Sequence, residues 1–229
     1  MPVGDPRLTL LYTANLAGRL DRLPRLFSLV RDVREAAGAP TALLDLGGSC
    51  DPAVAECAAT EGRAALFVLE AMGYDAACLS AADCAALSER AARKLMQEIG
   101  IPLCAPCAGL PLPGYCLWQA GPWRVACLAG ADGPPQADLV IRPLPPGREP
   151  YLEREARTLW LAAPAGDVLG VVEITLEAAG LPVAATWRWQ RLAAGARPDP
   201  TIAAAVEFVR DEARRHQQIH NRGGAHATG

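Results

Sequence analysis

The chain has 229 residues, 51% of them hydrophobic, which is enough to bury one large core or two small ones. A formal net charge of −3, with Lys94 the only lysine, leaves no basic stretch interleaved with aromatic residues and excludes the usual nucleic-acid binder. No window approaches the roughly 18 continuous apolar residues of a membrane span, and the polar start lacks the basic and apolar regions of a signal peptide, so a soluble, cytoplasmic protein is expected.

In chain order, residues 8–12 (LTLLY) form a short apolar strand, followed by a helix over 23–37 with Leu23, Leu26, Phe27, Val30 and Val33 at helical spacing. Residues 42–46 make a second buried strand, stopped by Gly47-Gly48. Asp51 and Pro52 then open a helix expected to run to Met72. A strand over 74–79, a helix over 88–99 and a strand from Ile101 to Cys104 complete a β-α-β series, which implies a parallel sheet covered by helices. The second half changes character. Residues 115–119 and 124–128 flank Ala120-Gly121-Pro122 as a hairpin. A short strand over 139–141 precedes a proline-rich loop over 143–150, and residues 158–162, 170–176 and 183–190 read as an antiparallel meander. Asp199 caps a last helix from Pro200 to about Arg215, and a disordered tail is expected from His216 onward. The division is one domain over 1–215 and a tail over 216–229.

Every histidine lies in the last fourteen residues: His216, His220 and His226. The framework segments LTLLYTANLAGRL (8–20), LLDLGGS (43–49), GRAALFVLEAMGYDAACL (62–79), IPLCAPC (101–107) and TLWLAAPAGDVLGVVEITL (158–176), with the closing PDPTIAAAV (198–206), together resemble the catalytic domain of the 5′-nucleotidase group of calcineurin-like metallophosphatases. The resemblance covers most of the chain and implies a four-layer αββα sandwich, shortened between Gly130 and Asp138. It also implies where two catalytic metal ions would bind, at the carboxyl ends of the parallel strands. The family's Asp-x-His falls on Asn15-Leu16-Ala17, its Gly-Asp on Gly47-Gly48, and its Gly-Asn-His-Glu on Ser80-Ala81-Ala82-Asp83. The late Gly-His-x-His would lie near Arg142-Pro143-Leu144-Pro145. Ala17, Gly48, Ala81 and Ala82 offer no electron pair to a hard cation. The usual dinuclear site is therefore not expected. Asp45 is the one matching carboxylate and also reads as an aspartate that bonds its own turn, and Asn15 and Asp83 could make at most a weak contact with one ion.

Eight cysteines remain to be placed, and in a reducing compartment they should be thiols or metal ligands rather than disulfides. The resemblance puts Cys50, Cys84 and Cys107 after successive strands, with Cys57 in the following helix and Cys104-Ala105-Pro106-Cys107 as a C-x-x-C. Cys50, Cys84, Cys104 and Cys107 are thus candidate ligands for zinc or an iron–sulfur cluster in the vacated pocket. A redox pair at Cys104 and Cys107 is a further option, and simple packing competes with both. Cys78, Cys116 and Cys127 sit within apolar strands and read as packing residues. His216 and His220 share a helical face if the last helix reaches them. Trp187 and Trp189 share one strand face and read as core or inter-sheet packing, and Gly47-Gly48-Ser49 is a weak anion-binding stretch.

Two functional classes follow. One is a catalytically degenerate metallophosphatase-like protein that acts by binding, as a regulator or scaffold with a protein partner. The other is a metal- or cluster-bearing protein that reuses the old pocket through cysteines. Residual phosphoester hydrolysis through Asn15, Asp45 and Asp83 is a third.

Overall fold

A computed structural model describes residues 6–107, 109–130, 136–145, 147–177 and 180–224. The first half follows the expected order. Strand β1 (Arg7–Thr13) leads through a short 3-10 turn into α1 (Leu23–Ala36), and β2 (Thr41–Asp45) follows. The helix expected over 52–72 is broken in two: α2 (Ala55–Ala59) and α3 (Arg63–Ala71). Glu61 and Gly62 between them take positive φ values of 50° and 80°, which no continuous helix can accommodate. Strand β3 (Ala76–Cys78) is shorter than expected and is followed by an unanticipated turn of helix, α4 (Ala81–Ala86), before α5 (Glu89–Glu98) and β4 (Leu103–Cys104).

Strands β5 (Tyr115–Ala120) and β6 (Trp123–Leu128) form the expected hairpin, and β7 (Leu139–Pro143) lies parallel to β6. The expected meander divides between two sheets. Strand β9 (Thr158–Leu161) pairs with β7 and with a further short strand, β8 (Tyr151–Glu153). Strands β10 (Val168–Leu176) and β11 (Pro182–Arg191) instead pair with each other, and β10 runs antiparallel to β1. The result is a six-stranded sheet in the order β11-β10-β1-β2-β3-β4 and a five-stranded sheet in the order β5-β6-β7-β9-β8. Helix α6 (Pro200–Gly224) continues nine residues past the expected end at Arg215, so His216 is helical. His226 and the chain from 225 onward lie outside the described residues, as does the 131–135 stretch within the expected shortening.

Alternation along the strands makes two apolar layers. Leu8, Leu10, Tyr12, Ala42, Leu44, Val172 and Ile174 of the six-stranded sheet face Trp118, Val125, Leu139, Ile141, Leu159 and Leu161 of the other. Leu11, Leu43, Ala77, Leu103, Leu169 and Val171 turn the opposite way and bury against the helices. The expected α/β sandwich is present in shortened form, as helices, sheet and sheet. Among the described residues no helix element falls between β5 and β10, where the fourth layer would arise.

Candidate functional site

The parallel strands β1, β2 and β3 end on one side of the six-stranded sheet, and their following loops converge there. The loop after β1 is joined to the loop after β2 by its own backbone. Asn15 N–H donates to Gly47 O, Ala17 N–H to Gly48 O and Gly18 N–H to Ser49 O, each at 2.8 Å. This zipper holds Asn15 and Ala17 at φ of 55° and 52°, and Gly47 and Gly48 at 103° and 76°. A side chain at position 48 would bring its Cβ to 2.8 Å from Asn15 Oδ1 and 3.0 Å from Asn15 Cα. Glycine is therefore required there by both conformation and space. From above, Pro164 O accepts from Asn15 Nδ2 at 2.9 Å, and Gly166 lies so near the Asn15 carbonyl that a Cβ would stand 2.4 Å from it.

Two carboxylates lie under these loops, and both are occupied by the chain's own donors. Asp83 Oδ2 accepts from Gly48 N–H at 2.7 Å, Ser80 N–H at 2.8 Å and Ser80 Oγ at 2.7 Å, while Oδ1 accepts from Cys50 N–H at 2.8 Å. The Ser80 hydroxyl in turn accepts from Asp83 N–H, closing a capping box on α4. Asp45, wholly buried, accepts from Thr13 Oγ1 at 2.7 Å on one oxygen, and from Ser49 Oγ at 2.5 Å and Gly47 N–H at 3.1 Å on the other. Since the Thr13 proton is committed to Asp45, the Tyr74 hydroxyl donates to Thr13 at 2.8 Å. Burial pushes the Asp45 carboxyl up to about 7; hydrogen bonds from Ser49, Thr13 and Gly47 act the other way, and the charge of Asp83 adds to the rise. Ala17, Ala81 and Ala82 complete the set without a donor atom on their side chains.

The four candidate cysteine ligands are not brought to one point. Cys50 is bonded to Cys57, and Cys84 to Cys107. Cys104 faces the inter-sheet layer, whereas Cys107, three residues on, packs on the helical side of the six-stranded sheet. The C-x-x-C is thus split between two layers, which leaves neither a shared ligand set nor a 104–107 redox pair. The expectation of free thiols fails for Cys50, Cys57, Cys84 and Cys107.

The cysteines expected to be packing residues are the ones that cluster. Cys78, Cys104, Cys116 and Cys127 are all buried, and the sulfurs of the first three lie within 4.8 Å of one another. Cys78 Sγ is 3.1 Å from Cys104 Sγ and 2.7 Å from Cys127 Sγ. Hydrogen bonds from Cys116, Cys127 and Cys78 hold the Cys104 thiol far below the ordinary thiol range. Cys78 and Cys116 are pushed up chiefly by their hydrogen bonds to Cys104, and Cys127 chiefly by burial.

The remaining candidates lie elsewhere. Trp187 and Trp189 are 39% and 45% exposed on the edge strand β11, so they are not core residues, although Trp189 meets Tyr12 edge-on at 5.9 Å. His216 lines a groove of about 540 Å³ between α3, α5 and α6, beside Phe67, Phe208, Arg63 and Glu98. Among the described residues, no helix is long and apolar enough to cross a membrane.

Solved structures share this fold. A 5′-nucleotidase precursor from Thermus thermophilus superposes with a TM-score of 0.66 at 15% identity, covering 89% of this chain and 58% of the other. The chain has the metallophosphatase fold. The sulfate thiohydrolase SoxB of Thermus thermophilus, solved with glycerol, matches with a TM-score of 0.65 at 16% identity, over 95% of this chain and 62% of its own. A phosphatase from Mycoplasma pneumoniae matches with a TM-score of 0.50 at 8% identity, over 88% of this chain and 97% of its own. The chain therefore spans about three fifths of the length of the two Thermus proteins. No protein-family profile and no curated protein sequence matches it. At these identities the metallophosphatase likeness is one of fold.

Proposed function

We propose that this chain is a catalytically degenerate metallophosphatase-like protein that works by binding a protein partner, as a regulator or scaffold, rather than by hydrolysis. One observation carries the reading: the two carboxylates left at the carboxyl edge of the sheet, Asp45 and Asp83, are committed to seven hydrogen bonds from the chain's own donors. A dinuclear centre needs carboxylates with free lone pairs and imidazoles around them. Here Ala17, Gly48, Ala81 and Ala82 have no donor side chain, and the β1–β2 backbone zipper occupies the space beside Gly48. The donor set does not fit two divalent ions, and no hydrolytic step is assigned to it.

The test is hydrolysis of p-nitrophenyl phosphate and a nucleoside 5′-monophosphate by the purified full chain, with manganese, zinc or magnesium added in turn. No turnover above the buffer rate is expected with any ion. Metal-dependent turnover that disappears in Asp45→Asn and Asp83→Asn would overturn the proposal and favour residual phosphoester hydrolysis.

A further inference from the structure

The inter-sheet cysteines are arranged as two facing pairs. In the six-stranded sheet Cys78 of β3 and Cys104 of β4 are register partners. In the five-stranded sheet Cys116 of β5 and Cys127 of β6 are register partners. All four side chains point into the layer between the sheets, so four strands deliver four sulfurs to one place. Nothing in ordinary packing asks for this. Across such a layer, isolated thiols would be expected to alternate with larger apolar groups, as Trp118, Val125 and Leu44 do nearby.

We infer that Cys78, Cys104, Cys116 and Cys127 form a metal site that holds a single zinc ion in the layer between the two sheets, rather than in the loops at the carboxyl ends of the strands. The spacing suits one ion. Four thiolates at about 2.3 Å from a tetrahedral zinc stand about 3.8 Å apart. The sulfurs of Cys78, Cys104 and Cys116 fall within 4.8 Å of one another, and Cys127 joins them through Cys78 Sγ at 2.7 Å. An iron–sulfur cluster needs its cysteines spread around several irons and does not fit this spacing. The set is all sulfur and closed to water, which selects a soft ion over magnesium, calcium or manganese. With every position filled by protein, the site is structural: it has no open position for substrate. Its role would be to pin the hairpin β5–β6 to the edge strand β4 and its neighbour β3, where the six-stranded sheet contributes only two- and three-residue strands.

Elemental analysis of the full chain, purified with a mild reductant and no chelator, tests the site. One equivalent of zinc per chain is expected. Cobalt(II) exchanged into the chelator-stripped protein should give the intense sulfur-to-metal absorption of a tetrathiolate. The quadruple variant Cys50→Ser, Cys57→Ser, Cys84→Ser, Cys107→Ser should keep the metal, whereas Cys104→Ala with Cys116→Ala should lose it. A wild-type chain that stays metal-free after zinc loading would overturn the inference, even if the variants fail to fold. A Cys78–Cys127 disulfide found by peptide mapping, or an iron chromophore, would overturn it too. The metal content is read whatever the hydrolysis assay gives, so the two proposals fail separately.

Discussion

Asp45 is a buried carboxylate whose work is structural hydrogen bonding. In this chain it bonds the turn that follows β2 and anchors the relay from Tyr74 through Thr13. Its carboxyl, raised to about 7, binds a proton more tightly in the folded chain than in the unfolded one, where the usual value is near 4. The folded state therefore holds the extra proton between those values, and unfolding releases it. The stability this contributes is complete below about pH 4 and is lost as the pH rises through about 7. Urea denaturation midpoints should decline as the pH is raised from about 5 to about 8, and Asp45→Asn should flatten that decline relative to the wild type. An unchanged slope in the variant would remove the assignment. At this scale the sequence was informative by position but not by role. The resemblance located Asp45, Gly48 and Asp83, yet only the folded loops show that a side chain at 48 meets Asn15 and that Asp83 serves Gly48, Ser80 and Cys50.

Among the elements, those whose cause is local were readable. The apolar alternation of β1 and β2, the spacing of α1 and the Gly121 turn of the hairpin all took their expected places. The cap on α6 was readable as well: Asp199 Oδ1 accepts from Thr201 N–H at 2.9 Å and Ile202 N–H at 3.2 Å, while Oδ2 meets Arg31 at 3.1 Å. Asp199→Ala should cost about 1–2 kcal/mol in chemical denaturation, and Asp199→Ser should recover most of it. The capping box Ser80-x-x-Asp83 is also a local pattern, on residues that the resemblance places in a metal-ligand signature. The assignment of β9, β10 and β11 to one meander failed for a different reason. A strand's apolar pattern says that it pairs but does not name its partner, and β9 found β7 and β8 in the other sheet.

The whole molecule carries the features that sequence reading could least supply. Disulfide connectivity does not follow from spacing, and the four inter-sheet thiols converge only once two sheets are stacked. Of the two disulfides, Cys84–Cys107 closes the larger loop, with a sequence separation of 23 residues. It ties α4, which carries the Asp83 capping box, to the loop after β4. Removing that cross-link by Cys84→Ser and Cys107→Ser should destabilise the chain by about 3 kcal/mol, chiefly by freeing the unfolded state. The Cys50–Cys57 pair, with a separation of seven residues, should matter less. Comparing denaturation midpoints of the two paired variants gives the order directly.

One topological fact bears on how the chain is made. Strand β1 is flanked by β2, which follows it after one helix, and by β10, whose register partner for Arg7 is Thr175. During synthesis the first four strands can assemble early, but the side of β1 that β10 will cover stays open until more than two thirds of the chain has left the ribosome. Leu8, Leu10 and Leu11, all fully buried in the finished fold, belong to that waiting edge. Nascent chains stopped before β10 should therefore be protease-sensitive and prone to chaperone capture, and protection should arrive abruptly once β10 and β11 emerge.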